Sequence, residues 1–190
     1  LSSKETDARA SRELSTGRVR VTESFLGYKT IHADRTVSVH PLDLPPHVYE
    51  TDATWIAFRA EIEDLSPEHL LGSLHGAEHA LIAMAPLLVL CDATDVGGVS
   101  TPNHAQTQAP TIVLFDGLTG GAGIAPALFD AFDRLAERAH ALVRDCACDA
   151  GCPSCLLSPR CGSQNEPLFK PGTIRILEFL TQGTRPEADE

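Results

Sequence analysis

The residues whose types and spacing could do chemistry are the cysteines of Asp145-Cys146-Ala147-Cys148-Asp149-Ala150-Gly151-Cys152-Pro153-Ser154-Cys155, followed by Cys161. They make up all but one of the chain's 6 cysteines. Zinc takes soft thiolate ligands in a tetrahedron at about 2.3 Å, and a Cys-x-x-Cys turn delivers two sulfurs to one ion. Gly151, Pro153 and Ser154 are the small or turn-forming residues that let backbone wrap around a metal. The expected ligand set is Cys146, Cys148, Cys152 and Cys155. Cys161 is the alternate, replacing Cys146 or Cys148, because two cysteines separated by one residue form a tight chelate. Four thiolates leave no coordination position open, so the expected role of the ion is structural. Disulfides suit poorly an odd cluster in a chain that shows no export signal. An iron–sulfur cluster is the remaining alternative for a thiolate set. Cys91 lies in an apolar run and reads as a small core residue.

A second constellation consists of His75, His79, Asp92, Asp95 and Asp116. If it converged it would resemble a metal-dependent nuclease, with His79, Asp92 and Asp116 as the catalytic candidates. Spacing alone does not show convergence, and a polar network supporting the core is the default reading, so no residue is assigned a catalytic role. Arg160, Lys170 and Arg175 form a small positive group near the cysteines and are the candidates for a local contact with a DNA strand. Gly117, Gly120, Gly121 and Gly123 precede a helix start, where free backbone donors could meet a phosphate, but without a lysine or a complete nucleotide fingerprint a tight strand-to-helix turn is the preferred reading. Trp55, Tyr28 and Phe25 read as core residues before base-stacking platforms.

These groups must be positioned by an otherwise ordinary globular chain of 190 residues, 43% of them hydrophobic. Its net charge of −11 is opposite to that of a general nucleic-acid binder. Four thiolates and a dication take it to about −13. Contact with nucleic acid is therefore expected to be local, or supplied by a neighbouring domain. No apolar secretory core opens the chain, and Ala80 to Cys91, interrupted by Pro86, is too short to span a membrane, so a cytoplasmic location is expected.

Residues 1–16 are polar and read as a flexible segment. A β-rich subregion follows over 17–64, with strands expected within Arg18 to Ile31, Thr36 to His40 and Thr54 to Ile62. Pro45 and Pro46 interrupt it. Residues 65–182 are expected to form a helical/αβ core carrying the zinc knuckle at 145–162. Ser66-Pro67-Glu68 is a helix start, with a capping hydroxyl, a preset φ and a negative charge at the positive helix end. The stripe Leu70, Leu74, Ala77, Leu81, Met84 predicts a buried helix to about Ala85. Asp92 to Ala109 reads as a loop or irregular hairpin, Thr111 to Phe115 as a buried strand, Pro126 to Val143 as one amphipathic helix, and Gly172 to Leu180 as the last. Residues 183–190 read as a flexible tail. The fold class expected is α+β: a small mixed or antiparallel sheet, two or three amphipathic helices and a C-terminal four-cysteine zinc knuckle.

The cluster Cys-x-Cys-x-x-x-Cys-Pro-Ser-Cys, with Ser158-Pro159-Arg160-Cys161-Gly162, Asn165-Glu166-Pro167-Leu168 and Lys170, resembles the zinc-binding C-terminal domain of the MrfA-like superfamily-two DNA helicases. The resemblance extends to His75-Gly76-Ala77-Glu78-His79-Ala80-Leu81, Asp116-Gly117 with Gly120-Gly121-Ala122-Gly123, Val21-Thr22-Glu23 with Gly27-Tyr28, and Leu42-Asp43-Leu44-Pro45-Pro46. It implies a non-motor accessory domain of an ATP-dependent, 3′-to-5′ translocating helicase of DNA repair. Cys146, Cys148, Cys152 and Cys155 would be its metal ligands, the motor domains its partners in cis, and single-stranded DNA a local contact. ATP and Mg²⁺ would belong to the parent motor, since this chain contains no phosphate-loop motif. A freestanding nuclease-like enzyme and a module recruiting a repair partner through an acidic face are the alternatives.

Overall fold

The computed structural model describes residues 1–8, 12–33, 35, 37–58 and 65–182. Among these described residues seven strands are formed: β1 (Ser2–Ala8), β2 (Arg12–Glu23), β3 (Gly27–Ile31), β4 (Val37–Pro41), β5 (His47–Phe58), β6 (Val96–Thr101) and β7 (Thr111–Asp116). The same residues form four α-helices: α1 (Pro67–Met84), α2 (Ile124–Asp130), α3 (Phe132–Arg144) and α4 (Lys170–Thr181). The class is α+β, with an antiparallel five-stranded sheet in the order β1-β2-β5-β7-β6 and a separate β3-β4 ribbon.

Alternation along the strands divides the sheet into two faces. Leu14, Ile56, Phe58, Ile112 and Leu114 point toward the helices and join Leu74, Leu81, Leu128, Leu135, Ile176 and Leu177 in the main core. Trp55, Val113, Ala53 and Val19 occupy the opposite face in a smaller cluster. β2 and β5 pair along their full lengths, from Arg12↔Phe58 to Glu23↔His47, and form the spine of the sheet.

Helix α1 begins as its sequence predicts. The Ser66 side chain accepts a hydrogen bond from the His69 backbone N–H at 3.3 Å, and Pro67 opens the first turn. Its crossing with α4 depends on two glycines: a Cβ on Gly76 would collide with Thr173, and one on Gly172 with Ser73. That close approach seats the C-terminal helix against Ser73 and Gly76 of α1, while His75 and His79 line the cleft beside β6.

Four sequence expectations are revised. The polar opening is not a loose segment: β1 forms the sheet edge, and Ser2, Glu5 and Asp7 suit an edge strand that discourages further pairing. Within Asp92 to Ala109, Val96–Thr101 is an ordered strand; Gly97 and Gly98 lie too close to Phe115 and Glu78 for side chains of their own, which hides its strand character. The single helix expected over Pro126 to Val143 is two, joined at Ala131 (φ −96°, ψ 10°), because α2 packs on the sheet whereas α3 packs on α1 and α4. Tyr28 and Phe25 are exposed rather than core residues, while Trp55 is buried as expected. Thr36, residues 59–62 of the expected Thr54 strand and the tail 183–190 lie outside the described residues.

Candidate metal centre

The knuckle starts where α3 ends. After the Asp145 cap, Cys146 and Cys148 run across the helix end, and a tight turn then places the backbone N–H groups of Cys155, Leu156 and Leu157 on the Cys152 carbonyl, each at 3.0 Å. Gly151 enters this turn with φ +120°, a value an L side chain rarely adopts. The sulfur separations are 3.6 Å for Cys146–Cys148 and Cys146–Cys152, 3.5 Å for Cys148–Cys155 and 3.8 Å for Cys152–Cys155. A tetrahedron with metal–sulfur bonds of about 2.3 Å has edges of about 3.8 Å. A disulfide would bring two sulfurs to about 2.05 Å. The donor set therefore fits one tetrahedral soft-metal ion and contains no disulfide.

The electrostatics agree. Burial, with the neighbouring sulfurs adding to it, pushes the Cys155 thiol up to about 12. At Cys148 burial acts in the same direction, but hydrogen bonds from Cys155, Cys146 and Lys170 outweigh it and bring that thiol down to about 7. Without a cation the cluster favours charge on one sulfur and resists it on another. A dication removes the conflict by neutralising the thiolates together.

The knuckle is anchored from two sides. Leu156, 1% exposed, joins the main core. Lys170, 5% exposed, donates through Nζ to the carbonyls of Cys146 (2.6 Å) and Cys148 and lies 3.4 Å from the Cys148 sulfur. Burial opposes its charge, yet its sulfur partner holds the ammonium above the usual lysine range. The DNA contact expected at Lys170 thus gives way to a brace, since its ammonium is turned inward onto the knuckle. Arg160 is exposed and donates to the Ala93 carbonyl at 2.8 Å, tying the loop after the knuckle to the start of the β6 segment. Arg175 is exposed on α4.

Cys161 does not join the four sulfurs. It lies with His75 and His79 in a second group, its sulfur 3.3 Å from His75 Nε2. The nuclease-like set does not assemble. Asp116 is fully buried and accepts hydrogen bonds from the backbone N–H groups of Ala122 (2.6 Å), Ile124 (3.2 Å) and Ala125 (2.7 Å). It closes the glycine turn and caps α2, which also occupies donors that a phosphate would need. The Asp92 backbone N–H donates to Asp95 Oδ2 at 2.9 Å, and neither aspartate shares a metal-capable group with His79 among the described residues. His79 Nδ1 meets the Leu156 carbonyl at 2.7 Å; burial pushes its imidazole below the usual histidine range, with that carbonyl opposing the shift. Glu78, on the same helical turn, has its carboxyl raised by burial.

A family model described as the MrfA Zn-binding domain matches residues 77–156, the stretch from the middle of α1 through the last of the four clustered cysteines. The Methanocaldococcus jannaschii protein "Uncharacterized protein MJ1572.1" is 34% identical over 110 residues, covering 56% of this chain and 98% of that protein. This chain belongs to the MrfA zinc-binding domain family. It is also 36% identical over 142 residues, 75% of its length, to the Bacillus subtilis protein "Uncharacterized ATP-dependent helicase YprA", of which it covers 18%. The chain is thus equivalent to under a fifth of that helicase. Among solved structures, the DUF1998 helicase MrfA bound to DNA matches 95% of the chain and 24% of its own, with a TM-score of 0.73 and 29% identity. No helix among the described residues is long and apolar enough to cross a membrane.

Proposed function

We propose that this domain is the non-motor, zinc-stabilised accessory part of an ATP-dependent DNA helicase acting in DNA repair, where it positions the motor and guides DNA. Cys146, Cys148, Cys152 and Cys155 hold a structural zinc, which supplies a rigid cross-link between the end of α3 and the turn leading to Leu156. The observation that carries this reading is the near-complete superposition of the chain on a quarter of a DNA-bound helicase, outside any phosphate-loop motif of its own.

The β3-β4 ribbon supports a partner in cis. Its pairing, Ile31↔Val37 and Lys29↔Val39, puts Ile31, Val37 and Val39 on one face, where they are 75%, 56% and 67% exposed. A lone two-stranded ribbon is marginal in water, so a neighbouring part of a longer chain is the natural cover for this face. DNA contact falls to exposed groups such as Arg160 and Arg175, consistent with a chain too acidic for broad phosphate binding.

The test is made in the intact parent helicase. Replacing Val39 by Asp is expected to leave zinc content unchanged while reducing DNA-stimulated ATP hydrolysis and strand separation together. Arg160→Glu is expected to reduce strand separation more than ATP hydrolysis. Full strand separation by both variants would refute the accessory role.

A further inference from the structure

The four-cysteine centre makes no use of His75, His79 and Cys161, whose ligand atoms all lie within 4.8 Å of one another. His75 and His79 stand four residues apart on α1 and therefore on one helical face. The loop after the knuckle brings Cys161 to them, its sulfur 3.3 Å from His75 Nε2.

The hydrogen bonds of the two rings decide what they offer. His75 Nδ1 lies 2.8 Å from the Pro167 carbonyl and His79 Nδ1 lies 2.7 Å from the Leu156 carbonyl. A carbonyl oxygen only accepts, so each Nδ1 carries the proton and each neutral ring keeps its lone pair on Nε2. Metal-bound histidines are oriented by this same kind of outer hydrogen bond. The Asn165 backbone N–H, 3.3 Å from the Cys161 sulfur, donates to it and helps fix its position. In a tetrahedral zinc site with one sulfur and two imidazoles, the sulfur–nitrogen distance is about 3.6 Å, close to the separation found here.

We propose that His75, His79 and Cys161 form a second site for a zinc-class divalent ion, coordinated through both Nε2 atoms and the Cys161 thiolate. Three protein ligands leave a fourth position, which faces the open cleft of about 1000 Å³ between α1, β6 and the loop after the knuckle. Water or a small anionic ligand fits that position. Glu78 completes a His-x-x-Glu-His order on α1, but it hydrogen-bonds to Ser100 and packs against Gly98 of β6. The site is therefore one that holds an ion, not one that activates water with an adjacent carboxylate as metalloproteases of that sequence order do. The Leu156 backbone joins the two centres, since its N–H bonds Cys152 and its carbonyl accepts from His79.

The test is metal stoichiometry on the full chain, purified reduced, with elemental analysis and Co²⁺ titration. Two ions per chain are expected, falling to one in His75→Gln and in Cys161→Ser, with helical content retained. The ion lost should carry roughly one quarter of the thiolate-to-cobalt absorbance of the ion that remains, in proportion to one sulfur against four. Ring ¹⁵N shifts of His75 and His79 should move on adding the second equivalent, a readout on unmutated protein that does not depend on how the variants fold. One ion per chain, lost in Cys152→Ser but kept in His75→Gln, with unmoved ring shifts, would overturn this proposal and leave the four-cysteine reading intact. A second equivalent that survives Cys161→Ser with unmoved ring shifts would overturn it equally.

Discussion

Truncating Leu156 to Ala asks whether the metal knuckle is part of the core or an attachment to it. Leu156 is 1% exposed and belongs to the same cluster as Leu74, Leu135 and Ile176, while its backbone links the Cys152 turn to His79. Removing its isobutyl group deletes the buried transfer free energy and leaves a cavity whose polar rim, the knuckle turn, is fixed by metal coordination and cannot collapse freely. Leu→Ala changes at such sites cost about 3–5 kcal/mol, and the metal-restrained wall places this one at about 3 kcal/mol or more. For a domain of this size that corresponds to a fall in Tm of about 6–12 °C. The assay is thermal unfolding by circular dichroism at fixed zinc and reductant, with metal content measured in parallel. Expected is a single transition displaced downward with zinc still bound. An unchanged Tm would refute the integration of knuckle and core, and a split transition would show that the knuckle unfolds by itself.

The Asp116 carboxylate accepts from three backbone N–H groups, so Asp116→Asn turns an amide donor toward donors; it should cost on the order of 2–3 kcal/mol in urea unfolding. The same variant should reveal no lost nuclease activity, because none is expected in the unmutated chain incubated with DNA and Mg²⁺. Gly76→Ala forces a Cβ into Thr173 and should destabilise by about 1–3 kcal/mol, with Thr173→Ser in the same chain restoring little because the hydroxyl remains in the way. Zinc retention should depend steeply on acid, because binding requires four thiolates and protons compete with the ion for them, at Cys148 below about 7. Apparent affinity should then fall by up to about four powers of ten per pH unit, measurable by competition with a chromophoric chelator, whereas a slope near one would mean that fewer sulfurs bind.

The cysteine cluster was legible because its chemistry is local: four sulfurs within ten residues can meet only around a small object, and the turn residues between them say how. The Ser66 helix start was legible for the same reason, since a cap involves neighbours in sequence. What stayed hidden depends on contacts distant along the chain. β1 is polar because it is an edge, and β6 is glycine-rich because Phe115 and Glu78 press against it, so neither displays the alternation that marks a strand. Lys170 carries the same charge as a DNA-binding lysine, and only the fold shows it turned onto the Cys146 and Cys148 carbonyls. His75 and His79 did show helical spacing, but their partner Cys161 arrives from 82 positions after His79, a separation no local pattern reveals.

The most direct measurement is unfolding of the reduced chain before and after metal removal by a chelator, followed by backbone amide exchange. Expected is loss of protection from Cys146 through α4, with α1 retaining part of its helix and re-addition of zinc restoring the whole. A metal-free chain with undiminished protection across Cys152, Cys155 and Leu156 would contradict the claim that sulfur coordination holds this part of the fold together.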